Sequence, residues 1–270
     1  MKTRSMLGLL VVFFGLYLGL ATPAGAAAKC PADSVKVGPV CVDKFEASVW
    51  EIPNVPANKG LINKVKKGTA TLANLTSASA IANGVVQRGV ASDDYGAGCP
   101  DTGNNCVDFY AVSIPGVKPS AFITWFQASA AARNLGKRLL TNAEWQGAAA
   151  DTFDPGTDNG TTDCNISAAG AVVDTGSRFS CRSQWDVFDM VGNLQEWVAD
   201  WVPHSTVCVA ALFAGDFNCL AGASTTFGPG ALIRGGHFAN GTSAGVFAVD
   251  GRGTPSVAGV GIFLGFRAGR

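Results

Sequence analysis

Gly136-Lys-Arg-Leu-Leu-Thr-Asn-Ala-Glu-Trp145 lies between two helical patterns and sets the reading of the whole chain. Upstream of it, Pro119 precedes the segment Phe122 to Leu135, in which Trp125, Ala128, Ala132 and Leu135 recur at helical spacing. Gly136 closes that pattern, as a glycine past the last helical turn does. Thr141 and Glu144 then fit a capping box, the hydroxyl accepting from a free first-turn amide while the carboxylate reaches back. They open a second helix running to about Ala150. Working outward, Val35 to Ser48 alternates apolar and polar residues, with Val40, Val42 and Phe45 marking an early strand. Glu51 to about Asn105 is rich in Ala, Gly, Ser, Asn and Pro, which predicts long loops with one short helix. Asp151 to Ser183 returns to loop composition, and Trp185 to Trp201 crowds large side chains around a Gly192-Asn193 turn. The final third has short β-like runs such as Gly245 to Val249. Helices early and short strands late make an α+β class, with no linker dividing the chain.

The N-terminus carries a different signal. Lys2 and Arg4 precede the uncharged apolar run Met6 to Ala21, and Ala24-Gly25-Ala26 and Ala26-Ala27-Ala28 both fit a small-residue cleavage site. Residues 1–28 therefore read as a secretory signal peptide, and 29–270 as a single domain. A membrane anchor is the competing reading, but the run is short for a span of about 20 residues. The expected destination is the periplasm, the cell surface or the medium, with no span after signal removal. Lys plus Arg and Asp plus Glu both number 20. Without a basic stretch denser than Lys64, Lys66 and Lys67, nucleic acid is not an expected partner. All eight cysteines (Cys30, Cys41, Cys99, Cys106, Cys164, Cys181, Cys208 and Cys219) lie beyond the cleavage site. In an exported chain they are expected to form disulfides rather than hold metal, since no C-x-x-C pair occurs. Eight cysteines allow 105 connectivities. Pairing of sequential neighbours into four short loops is the preferred one.

Four segments in order carry a family resemblance. Cys41-Val-Asp-Lys-Phe-Glu-Ala-Ser48, then Phe122-Ile-Thr-Trp-Phe-Gln-Ala128 with the 136–145 stretch, then Asp189-Met-Val-Gly-Asn-Leu-Gln-Glu-Trp197, and last Arg234-Gly-Gly236 with Gly265-Phe-Arg267 resemble the sulfatase-modifying-factor, or formylglycine-generating-enzyme, domain. The resemblance implies a loop-rich C-type lectin-like fold of that subtype. Within it, Trp125, Trp145, Trp197 and Trp201 read as core aromatics. Lys137, Arg138, Arg234 and Arg267 read as side chains that hold irregular backbone.

Catalytic members of that family carry a cysteine pair after the Arg-Gly-Gly motif, which binds copper and oxidises a substrate cysteine. Here the last cysteine is Cys219, before the motif. Soft thiolate ligands have no substitute among the Ala, Ser and Gly that follow, so no copper is expected and no catalytic residue is assigned. His204 and His237, 33 positions apart, are poor material for the clustered histidines of iron-dependent relatives.

The segment 234–267 alternates framework-like pieces with arbitrary ones, and resembles the variable region of proteins diversified by retroelements. That resemblance implies an exported ligand-binding protein for an unknown protein or cell-surface ligand. His237, Phe238, Ala239, Ser243, Asp250, Arg252, Val257, Val260 and Phe263 are expected to share one exposed face. The alternatives are a family enzyme of altered chemistry and a structural envelope protein. Calcium is the one cofactor entertained. Family members bind it where Asp189 and Glu196 here supply carboxylates and Gly192 and Leu194 carbonyls, hard oxygen ligands that suit the ion.

Overall fold

The computed structural model describes residues 29–270 apart from 82, 93, 155 and 257–260, with backbone alone at 210–213. The expected signal peptide, Val257 and Val260 therefore lie outside the described residues. In chain order the elements are β1 (Ser34–Val37), β2 (Val40–Asp43), β3 (Ser48–Glu51), α1 (Lys59–Lys66), α2 (Leu72–Ala80), β4 (Val86–Arg88) and β5 (Phe109–Val112). There follow α3 (Trp125–Arg133), β6 (Arg138–Leu139), α4 (Asn142–Ala148), β7 (Gln195–Pro203), β8 (Val207–Phe213) and β9 (Asp216–Ala221). The chain ends with β10 (Pro229–Arg234), β11 (Val249–Gly253), β12 (Leu264–Phe266) and β13 (Ala268–Gly269). They form three small sheets, ordered β1-β2-β13-β6, β12-β7-β10-β11-β9-β8 and β4-β3-β5. Cys41 and Arg270 exchange backbone hydrogen bonds of 2.8 and 2.9 Å, so the two ends of the domain lie side by side.

The capping signals explain where helices start. Thr141 Oγ accepts from the Glu144 amide at 3.2 Å, and the Glu144 carboxylate accepts from the Thr141 amide at 2.8 Å, completing the box that opens α4. Thr124 and Gln127 form a second box at α3, so that helix starts three residues later than the apolar spacing predicts. Phe122 has a φ of 52°, and Ser120, Ala121 and Phe122 spend their amides on Ala47, Gly89 and Gly261 rather than on a helix. The 51–105 segment holds two helices and a strand rather than one helix. Its second helix is opened by a Thr71–Asn74 box that composition alone conceals. Residues 245–247 form a bend and turn, and the strand expected there begins at Val249.

Four disulfides join Cys30–Cys41, Cys99–Cys106, Cys164–Cys181 and Cys208–Cys219, the sequential-neighbour pattern. Each short loop stabilises the fold by about 2–3 kcal/mol through the unfolded chain. Trp145 and Trp197 are sealed in the core. Trp125 is half-buried and Trp201 is 40% exposed, which corrects their reading as core residues. These two and Phe126 instead form an edge-to-face cluster at the surface.

A charge network runs through the core. Arg267, 1% exposed, donates from Nε and NH2 to Glu196 at 2.6–2.9 Å and from NH2 to the Phe188 carbonyl at 2.8 Å. Glu196 Oε2 also accepts from Trp145 Nε1 at 2.7 Å. Lys137 bridges Asp33 and Asp43 at 2.7 Å each, again out of solvent. Breaking a buried pair strands the remaining charge and costs about 3–5 kcal/mol. Arg267→Met should therefore lower urea-unfolding stability by an amount of that order, whereas Arg182→Met, which breaks the exposed pair with Asp186, should cost under about 0.5 kcal/mol.

Candidate functional site

The loop after β10 is fixed by its backbone before it presents any side chain. Gly235 and Gly236 have φ of 85° and 76°. A Cβ at Gly235 would meet the Met190 carbonyl and the Trp145 ring, and one at Gly236 would stand 2.6 Å from Ala244. Arg234 lies over the Trp145 ring, 4.6 Å from its centroid, and donates to Asn142, Gln146 and the carbonyls of Val246 and Ala248. Asn240 Oδ1 accepts from the His237 amide at 2.7 Å, and the amides of Phe238 and Gly241 donate to the carbonyls of Asn193 and Ile166. From below, the buried Asp216 carboxylate accepts from the Phe247 amide at 2.7 Å. Nothing in the sequence around Asp216 marks this clamp.

This loop, β11 and the turn before β12 enclose a cleft of about 460 Å³ over one face of the six-stranded sheet. Six of the nine expected face residues line it: His237, Ala239 and Ser243 from the loop, Asp250 and Arg252 from β11, and Phe263 from the turn. Gln195, Phe217, Asn240 and the Cys208–Cys219 disulfide complete its walls, and sequence reasoning named none of them for the site. Phe238 departs from the expectation. It is 5% exposed and packs inward, its ring 5.2 Å from Phe263 and 5.8 Å from His237. Asp250, 8% exposed, is a recessed rather than an exposed lining residue.

Electrostatically the cleft is quiet. Arg252 binds Asp250 through Nε and NH2, the closest contact 2.7 Å, and each neutralises the other. Burial pushes the His237 imidazole down from 6.5 to about 4, so it is neutral at physiological pH. Its Nδ1 accepts from the Ala239 amide at 3.2 Å, which places the ring proton on Nε2.

The residues expected to hold calcium form a different arrangement. Both oxygens of Glu196 are engaged by Arg267, and one by Trp145 as well. The Leu194 amide binds Glu46 at 2.9 Å, and Asp189 Oδ2 accepts from the Gly176 amide at 2.7 Å. Among the described residues no three acidic, His or Cys side chains converge as a metal-holding group. Of the expected calcium ligands, Glu196 has its charge met by Arg267 and Asp189 has one oxygen on the Gly176 amide. Neighbouring Glu46 lies well above the ordinary carboxylate value, because it is buried and faces Asp189 and Glu196.

Residues 29–270 match the sulfatase-modifying factor enzyme 1-like domain family. The chain belongs to that family. Its mixed helices and short strands form the C-type lectin-like fold expected of the subtype. Solved structures of the major tropism determinant are also similar. The U1 and P3c variants are 18% identical, with 89% of this chain and 54% of theirs covered at a TM-score of 0.46. A 99-residue stretch is 35% identical to the serine/threonine-protein kinase pkn1 of Chlamydia pneumoniae, covering 34% of this chain and 15% of that protein. The chain thus spans about half the length of those structures and a small part of that relative. All eight cysteines of the chain are paired in disulfides.

Two measurements check the acidic network. Burial pushes Asp189 up from 3.8 to about 7, partly offset by the Gly176 amide and Arg267. A carboxyl raised in this way holds its proton longer in the folded state. Its stabilising effect is full below pH ~4 and is lost as pH rises towards about 7. Asp189→Asn should therefore melt higher than the parent at pH 8, by about 2–4 °C for each kcal/mol recovered, with the gap closing near pH 4. Millimolar calcium or a chelator should leave the parent melting temperature unchanged at pH 8. A rise with calcium would return these oxygens to a cation.

Proposed function

We propose that the chain is a non-catalytic, exported ligand-binding member of its family, and that the cleft beneath the tail loop receives the ligand. The observation that carries this reading is the gathering of His237, Ala239, Ser243, Asp250, Arg252 and Phe263 around one cavity. The loop that presents the first three is held chiefly by other residues: Arg234, the two glycines after it, Asn240 and Asp216. Such a surface can change its side chains while the loop keeps its course. That is the property a retroelement-diversified region requires, and 234–267 is the stretch proposed to vary. Export is supported by the N-terminal charge and hydropathy pattern and by four disulfides, which persist in oxidising compartments. No helix among the described residues is long and apolar enough to cross a membrane.

The reading is tested by labelled protein applied to panels of bacterial and host cells. Arg252→Lys, which keeps a cation for Asp250, and Phe263→Ala should each weaken capture by ~1 kcal/mol or more while melting stays near the parent value. Phe238→Ala should instead lose about 3–5 kcal/mol of stability, because its ring is buried. Copper-loaded protein should yield no aldehyde from a cysteine peptide of the kind the family's enzymes modify. Turnover there, or capture unaffected by both cleft variants, overturns the reading. The neighbouring DNA should carry a near-copy of the 234–267 coding region, differing mainly at adenines, beside a reverse transcriptase gene.

A further inference from the structure

The cleft's unpaired groups define the chemistry of its ligand. Among the described residues the Gln195 amide and the Ser243 hydroxyl have no hydrogen-bond partner, although Gln195 is only 7% exposed and both line the cavity. Asn240 spends its oxygen on the His237 amide and keeps its NH2 free. The neutral His237 presents Nε2–H once Nδ1 is occupied. An apolar ligand covering these groups would leave several buried donors and acceptors without partners, which is unfavourable. A strongly charged ligand finds no uncompensated partner, because Arg252 and Asp250 are already paired through two nitrogens. An extended peptide finds no strand edge to join at β11, which is flanked by β10 on one side and β9 on the other.

The opposite wall is aromatic. The His237 and Phe263 rings lie 4.2 Å apart and tilted by 33°, and the buried Phe238 ring holds them from behind. Both are half-buried, so each is fixed while part of it meets the cavity. An aromatic face carries negative quadrupole density and attracts polarised C–H groups. One chemical class offers a C–H face on one side, a ring of groups that both donate and accept on the other, and no charge. We propose that the cleft binds a neutral saccharide unit, its ring packed on His237 and Phe263 and its hydroxyls on Gln195, Asn240 and Ser243. This rests on the cleft being the ligand site. A volume of about 460 Å³ accommodates a pyranose with part of a neighbouring residue.

The test applies the purified protein to immobilised neutral oligosaccharides (mannan-, glucan- and galactan-type), to sialylated and sulfated ones, and to a peptide panel. Retention on a neutral oligosaccharide is expected, competed by the free monosaccharide and unchanged between pH ~6 and ~8, where His237 stays neutral. Gln195→Ala and Phe263→Ala should each cut retention about tenfold or more. Phe126→Ala, in the aromatic cluster with Trp201, should not, and melting temperatures show that each variant is folded. No retention on any neutral oligosaccharide, preference for the charged or peptide ligands, or retention indifferent to both cleft variants overturns the proposal. If Phe263→Ala abolishes cell capture while no oligosaccharide is held, the cleft remains the ligand site and only the saccharide assignment falls. If cell capture also ignores both variants, the two fall together.

Discussion

The guanidinium of Arg267 cannot shed its proton, and with 1% of the residue's surface exposed it has no water to turn to. Its donors must all find oxygen within the fold. They do so on Glu196 of β7 and on the carbonyl of Phe188, with longer contacts to those of Asp189, Asp43 and Lys44. These partners come from the early strand region, the turn before β7 and β7 itself, and Arg267 arrives from the last few residues. Glu196 then fixes Trp145, and Trp145 carries Arg234 on its ring. Three of the resembling segments and both arginines of the fourth meet at this one cluster. Because a half-assembled cluster would leave an uncompensated buried charge, the segments are energetically required to be in place together.

That constraint divides the molecule into parts that must stay and parts that can change. Gly235 and Gly236 belong to the first group, for their φ values and for lack of space, and Asp216 belongs with them because it clamps a backbone amide. Ala239, Ser243 and Arg252 belong to the second. Among these three only Arg252 makes a side-chain hydrogen bond within the described residues, and that bond is to its near neighbour Asp250. The Cys208–Cys219 bond ties β8 to β9 at the cleft wall, where sheet register alone is irregular.

The same division explains what is legible in the sequence. The α+β class, the capping box at Thr141 and the sequential disulfides are readable because each rests on local chemistry: a side chain and an amide three residues apart, or two sulfurs closing a short loop. The resembling segments are readable because they converge on the Arg267 cluster, where few residue types serve. The cleft is partly readable. Alternation of strut-like and free residues locates six lining positions, but Gln195 and Phe217 enter from β7 and β9, and only the sheet order brings them to the tail. The partner of Glu196 lies beyond local reading. Carboxylates on a tight turn resemble a cation site in sequence, while the arginine that satisfies Glu196 stands 71 residues away.

Phe238 shows where display meets scaffold. By spacing alone it belongs with His237 and Ala239, yet its ring faces inward and backs both His237 and Phe263. Its amide meanwhile holds the loop to the Asn193 turn, which is itself bound to Glu46. A small or polar residue at 238 would open a void behind the aromatic wall and loosen the two rings that line the cleft. The aromatic wall of the cleft therefore has a fixed root. Freedom at 239, 243 and 252 depends on position 238 remaining large and apolar, so any diversification of this tail should spare it or restrict it to residues of similar bulk.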